Sequence, residues 1–326
     1  MVAVSLLRRW IALWDRREDP RSVALVRILL SSVVLYDWMR IYHLKLVEPL
    51  FAPLAGGGMG TPMSHKAVPW LYATFTTGAD AAWVGFGLVV VLTVMLGVGL
   101  LTRLSALALV LVWTQLALGL PASDRGIDML IRNVVLLLAF SSAGQVWSID
   151  ARLRTGSWHG DGQRIPAWPR YLLIVQLVIL YFTAGVQKVA SSWTPFGGWS
   201  ALYIAMRDPA FAMGPLSGLD GLYPATQFLT ASTWCWEWSA PLLLLALYYR
   251  DTRARSGRLR ALMNRLSFRT IYLLIGAVFH IGTSLTLQLG IFPWAILSLY
   301  PACFHPEEFQ QMAEKLRISL WNKMTR

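Results

Sequence analysis

The chain has 326 residues, of which 56% are hydrophobic and only 14% charged, and it carries 16 Trp. Soluble domains hold about a quarter charged residues, so this composition excludes an ordinary soluble fold, and disordered or collagen-like chains with it. Cys235 and Cys303 are the only cysteines and both lie in apolar stretches, which leaves no disulfide framework or multi-cysteine metal site. The net charge of +12 does not point to nucleic acid, because the arginine clusters flank membrane-length segments and no basic stripe interleaves with polar aromatics.

A bilayer core takes about 20 apolar residues per helix. That length gives a first span at 22–42, followed by 83–101, 104–122, 128–143, 171–188, 226–249, 271–288 and 289–304. The last two share 34 positions around Gly290 and Pro293, which suits either a tight helical hairpin or one helix and a re-entrant segment. No small-residue cleavage site follows the Arg-rich start, so no cleavable signal peptide is expected. The expected fold is all-α, a polytopic integral membrane helical bundle of about eight transmembrane helices.

Basic residues are retained on the cytoplasmic side, and their distribution orients the spans. The N-terminal segment carries Arg8, Arg9, Arg16, Arg17 and Arg21; the connection 144–170 carries Arg152, Arg154, Arg164 and Arg170. Connection 250–270 carries Arg250, Arg253, Arg255, Arg258, Arg260, Arg265 and Arg269, and the tail adds Lys315, Arg317, Lys323 and Arg326. The intervening connections are poor in basic residues: 43–82 has Lys45 and Lys66, and 188–225 has Lys188 and Arg207. Both termini are therefore expected in the cytoplasm, with 1–21 and 305–326 as tails of a single transmembrane domain spanning 1–326. The two long outer connections are rich in Trp, Tyr, Phe, Gly and Pro, which suits surface-lying elements that roof an outward cavity or simply anchor an aromatic belt.

Several polar residues fall within or beside the spans. Asp37 and Arg40, and Asp128 and Arg132, stand three and four apart, so local ion pairs are expected. Asp124 and Asp128 lie near the outer mouth. The GGGMG run at 56–60 has no following Lys-Ser/Thr and reads as a flexible segment. Lysines make up only 5 of the 29 basic residues, and Lys188 alone closes a span. Arginine cannot give up its proton, whereas a lysine amine desolvated against apolar walls becomes a neutral base or nucleophile; a snorkelling lysine at the outer interface is the plain structural alternative. Glu237, flanked by Trp234, Trp236 and Trp238, needs a partner, for which an arginine on another helix is the simplest choice. His280 sits mid-span, with Thr283, Ser284 and Gln288 at helical spacing behind it, so this face lines a polar cavity or a helix contact. Patterns for metal ligation, the nucleophile elbow and the phosphate-binding loop are absent from the sequence.

Several segments together resemble the HTTM (horizontally transferred transmembrane) family, whose eukaryotic members are the vitamin K-dependent gamma-glutamyl carboxylases. Tyr181-Phe182-Thr183-Ala184-Gly185-Val186-Gln187-Lys188 follows the carboxylases' Tyr-Phe-x-Ala-Gly-Val-x-Lys, with Trp193 downstream. Trp147-Ser148-Ile149-Asp150 matches their Trp-Ser-x-Asp. Phe279-His280, Ser284 and Gly290-Ile291-Phe292 match a Phe-His stretch followed by Ser and Gly-x-Phe, and Glu237 precedes Ser239-Ala240 as an acidic residue does there.

The resemblance implies that Lys188 is the lysine that deprotonates a reduced naphthoquinone, whose reaction with O2 generates a strong base for carboxylation-type chemistry at an extracytoplasmic pocket. On this reading Lys188 and His280 are catalytic, and Asp128, Trp193, Glu237 and Ser284 shape the substrate or cofactor pocket. Two features depart from the carboxylases. Gly126-Ile127-Asp128 stands where they have a catalytic His in an Asn-His-Ser segment, and only 305–326 follow the last span, which leaves no large lumenal domain. Other expectations are a non-catalytic membrane partner, similar to SdpB-like proteins, in maturation or export of a small peptide or secreted protein, and a lipid- or quinone-binding protein. The high Arg-to-Lys ratio points to a bacterial plasma membrane, with lipids as partners and no nucleic acid.

Overall fold

The computed structural model describes residues 14–61, 69–75, 79–214 and 218–309, together with 8, 11 and 12. Arg9, His65, Lys66 and the tail residues Lys315, Arg317, Lys323 and Arg326 lie outside the described residues. The chain divides into two compact units, Met1–Leu173 with Phe304–Arg326, and Ile174–Cys303.

The first unit is built on α1 (Arg21–His43), followed by the short α2 (Val47–Phe51) and α3 (Trp70–Thr74). α4 (Asp80–Val98), α5 (Thr102–Gly119), α6 (Gly126–Phe140) and α7 (Ile149–Thr155) complete it. α4 packs against both α1 and α5, and α5 against α6. α4 is apolar all round, as a lipid-immersed helix is. Two-residue strands β1 (Arg17–Glu18) and β2 (Ile165–Pro166) pair antiparallel, Arg17 opposite Pro166 and Glu18 opposite Ile165.

Arg27 is the centre of this unit. Its side chain is fully buried on α1, where an unpartnered charge would be prohibitive. It donates to the carbonyls of Leu96 (2.7 Å), Gly97 (2.6 Å), Trp147 (2.6 Å) and Ala143 (3.2 Å). These include carbonyls of the last turn of α4, which carry the negative end of its dipole. Asp150 answers at the next helix start, accepting from the amides of Leu101 and Thr102 at 2.8 Å each and from the Thr102 hydroxyl at 2.7 Å. Ser148 caps α7 by accepting from the Ala151 amide at 2.9 Å. Trp147-Ser148-Ile149-Asp150 is thus a clamp that joins the α4–α5 turn to the connection after α6.

The glycine-rich run is ordered rather than flexible. Gly60 N–H donates to Ala52 O at 2.9 Å, Leu54 N–H to Gly60 O at 3.0 Å, and a Cβ on Gly58 would lie 2.2 Å from Ala52 O. The run closes a tight turn against the end of α2, and the absent side chain at Gly58 permits that approach.

α8 (Trp168–Gln187) passes from the first unit into the second. There follow α9 (Ala201–Arg207), α10 (Tyr223–Trp238), α11 (Pro241–Asp251), α12 (Arg258–Arg265), α13 (Phe268–Thr286) and α14 (Phe292–Leu297). Among the described residues, five helices are long and apolar enough to cross a membrane: α1, α4, α5, α8 and α13. The expected span 226–249 is not one helix. It breaks after Trp238, and Pro241, which lacks an amide hydrogen, opens α11 instead. Segment 289–304 holds only α14 and a 3-10 turn at Tyr300–Cys303, and α13 ends at Thr286, so Gln288 is off the helix.

Candidate functional site

Lys188 follows the last residue of α8, and Glu237 is the penultimate residue of α10. The two helices meet at Gly185, where a Cβ would lie 3.0 Å from Glu237 Cβ and 3.1 Å from the Trp238 backbone nitrogen. Trp238 Nε1 donates to Gly185 O at 3.1 Å and pins the crossing. Lys188 Nζ stands 2.5 Å from Glu237 Oε2, 2.7 Å from Oε1 and 3.4 Å from Ala184 O, so all three ammonium donors have acceptors. The ammonium also lies 4.9 Å from the ring centre of Trp193, a cation–π contact. The Lys188 side chain is 19% exposed and that of Glu237 only 5%.

The amine expected to be held neutral by apolar walls is therefore paired with a carboxylate, and the partner of Glu237 is Lys188 rather than an arginine. The ammonium has no lone pair to offer, so Nζ can take up a proton only as the neutral amine, and Glu237 then holds the ammonium that forms. Around the pair runs an aromatic series: Phe182 against Trp238 (5.7 Å between ring centres), Trp238 against Trp234 (5.5 Å) and Trp234 against Trp199 (5.8 Å).

His280 belongs to a separate cluster in the same unit. It is fully buried, with Nε2 2.8 Å from the Tyr181 hydroxyl, which lies 2.9 Å from the Tyr300 hydroxyl, while Nδ1 has no partner. Trp236 packs on Tyr181 at 4.4 Å and donates from Nε1 to Tyr272 O at 3.1 Å. The hydrogen bonds of His280 run to Tyr181 and on to Tyr300, not to Lys188. Ser284 bonds back to Ile281 O at 2.8 Å on its own helix, and the Thr283 hydroxyl returns to His280 O at 3.1 Å. The structure thus brings Lys188, Glu237 and Trp193 together, and leaves His280 and Ser284 outside that group.

Asp128 lies in the first unit, and its expected pairing is corrected. At the third position of α6 its carboxylate turns back to accept from the Arg125 amide (3.0 Å) and guanidinium (2.9 and 2.8 Å) in a capping arrangement. Arg125 also pairs with Asp37. Arg132 pairs with Asp124 at 2.6 Å, and exposed Arg40 pairs with neither aspartate. Helix-end geometry overrides the spacing argument, because a carboxylate in the first turn gains more from free amides than from a residue one turn on. Burial opposes the charge on Arg125, but the hydrogen bonds it donates to Asp128 and Asp37 outweigh that and raise its pKa further.

The Asp37–Arg125–Asp128 group edges a cavity of about 370 Å³ whose other wall includes Trp38, Phe51 and Trp113. Trp38 stacks on Phe51 at 5.3 Å and meets Trp113 edge-on at 5.6 Å. The connection between α1 and α4, through α2, forms one side of this hollow. Arg27, inside the first expected span, and Arg125, just before the fourth, escaped sequence reasoning, because only their buried partners, far off in sequence, single them out.

No solved structure matches the chain. The HTTM domain family matches residues 15–208, more than half of the chain, and with its membrane-length helices this chain is a multi-pass membrane protein that belongs to that family.

Proposed function

We propose that this HTTM protein is a membrane enzyme of the vitamin K-dependent carboxylase-like kind, in which the Lys188–Glu237 couple accepts a proton from a reduced naphthoquinone. The observation that carries this reading is the Lys188 amine, bonded to a buried carboxylate and seated on the face of Trp193. The indoles of Trp193, Trp234 and Trp238 suit a planar bicyclic ring, which stacks on such faces. Reduced naphthoquinone, when bound, would supply the reducing equivalents by which O2 becomes a strong base.

A phenolic hydroxyl and a lysine amine both titrate ordinarily near pKa ~10, whereas a carboxylate lies about six units lower and is a poor base for such a group. Lys188 Nζ therefore takes the hydroxyl proton as the neutral amine, once its own proton has left to solvent through its partly exposed side. Glu237 stays ionised, orients the amine and holds the ammonium that forms. Trp193 orients the amine, and His280, through Tyr181 on α8, helps hold the helix that carries Lys188. Eight crossings with both termini in the cytoplasm, in a bacterial plasma membrane, accord with the arginine distribution. Within the first unit, residues 17–18, 165–166 and 304 gather together, as do residues 61 and 119, in keeping with the alternation this topology requires.

The test is naphthoquinol-dependent oxygen uptake by reconstituted protein. Lys188→Ala should lose at least about a hundredfold, and Lys188→Arg should fail equally, because guanidinium does not release its proton. Full activity in both variants overturns the reading. A second reading, binding of a lipid or quinone without turnover, is favoured by the amphipathic cavity at Trp38, Phe51 and Trp113, whose size is that of a small-molecule site; saturable quinone binding without oxygen uptake would support it.

A further inference from the structure

A second cleft, of about 390 Å³, lies in the first unit where three distant chain segments converge. Its walls include Arg16, Arg17 and Arg21 from the N-terminal segment, Arg164 from beside β2, and His305 and Glu307 from beyond the last helix. The β1–β2 pairing and the Ala167 N–H to Arg16 O bond at 2.8 Å fix the first two segments together. Ser22 Oγ donates to Phe304 O at 3.3 Å and fixes the third.

The carboxylates here are mostly committed. Glu18, which also lines the cleft, is held in a buried pair with Arg170, at 2.7 and 2.8 Å, so its charge is answered. Asp19 accepts from the Arg21 amide at 2.9 Å and faces the Arg21 guanidinium at 3.6 Å, and Glu307 stands 3.9 Å from His305. Among the described residues, Arg17 donates only to the Arg164 carbonyl, at 3.3 Å, and the Arg164 side chain makes no hydrogen bond or ion pair. Two exposed guanidinium groups that pair with no carboxylate among the described residues thus line one concave site.

We propose that this cleft binds a phosphate-bearing anion. Guanidinium forks match phosphate oxygens in bidentate fashion, and basic pockets at the cytoplasmic edge of transmembrane helices are suited to phospholipid headgroups. The same chemistry would accept a soluble phosphate, and the two sources are separable by experiment.

The full chain, purified in detergent, is incubated with phosphatidylglycerol in mixed micelles, and bound lipid is counted by native mass spectrometry; pyrophosphate is titrated separately by calorimetry. Arg17→Gln/Arg164→Gln should weaken binding on the order of tenfold or more, as expected for loss of charge-assisted hydrogen bonds. Arg253→Gln/Arg258→Gln, an equal charge change on exposed residues elsewhere, should leave it intact. Loss of lipid retention identifies a headgroup, and loss of pyrophosphate binding identifies a soluble ligand. The proposal fails if neither probe binds the unmodified chain, if the double variant binds as well as the parent, or if the control variant loses as much. Arg164→Gln alone, whose side chain holds nothing in the fold, repeats the comparison should the double variant misfold.

Discussion

Replacing Lys188 by Met leaves the Glu237 carboxylate, 5% exposed, without the ammonium that now contacts both of its oxygens. Removing one partner of a buried pair costs about 3–5 kcal/mol, because the remaining charge is stranded. The Lys188 side chain keeps some access to solvent, so the lower end, about 3 kcal/mol, is expected. Glu237→Gln should cost less, about 1–2 kcal/mol, since the lysine can turn outward and still meet an amide oxygen. The double variant Lys188→Met/Glu237→Gln strands no charge and should recover to within about 2 kcal/mol of the parent. The resulting coupling of at least about 2 kcal/mol is well above the error of additive sites. Reversible unfolding in mixed micelles, read by tryptophan fluorescence, measures all four corners of the cycle. Single variants that each cost under about 1 kcal/mol, with additive effects, would refute the claim that this pair is buried and coupled.

Arg27→Met should destabilise by about 3 kcal/mol or more, because four carbonyls lose their charged donor in the interior; Asp150→Ala should cost about 1–2 kcal/mol, as lost helix caps do. Thermal unfolding that ranks Asp150 above Arg27 would contradict the clamp. Gly185→Ala should cost about 1–3 kcal/mol and weaken oxygen uptake, since its methyl would push α8 from α10 at the Lys188–Glu237 contact; unchanged uptake and stability would count against that close crossing. Tyr181→Phe removes the hydroxyl between His280 and Tyr300 and should cost about 1–2 kcal/mol. Its uptake should stay within a few-fold of the parent, and a loss comparable to that of Lys188→Ala would move the chemistry to the His280 cluster.

The long helices were legible because hydrophobic length is a strong, local signal: α1, α4, α5, α8 and α13 all fall on expected spans. The break in 226–249 was not, since Pro241 sits in an apolar run and periodicity alone does not separate a kink from an end. Of the candidate site, Lys188 and Trp193 were legible from the segment that ends α8, and Glu237 was recognised as needing a partner. Which partner it takes depends on the α8–α10 crossing at Gly185, a contact between residues about fifty positions apart that no sequence spacing encodes. The ion pairs at Asp37 and Asp128 were misassigned for a related reason: spacing along one helix ignores the helix end, where Arg125 bridges α1 and α6. The polar residues following His280 looked like one functional face, but Ser284 satisfies its own backbone, as serines in helices commonly do.

The most direct test is an experimental density map of the protein in lipid with a naphthoquinone bound. The account predicts ring density against the Trp193 side of the Lys188–Glu237 pair, with the quinone oxygen within hydrogen-bond reach of Nζ. A quinone lodged elsewhere, with Lys188 and Glu237 sealed against each other exactly as in the free protein, would contradict it.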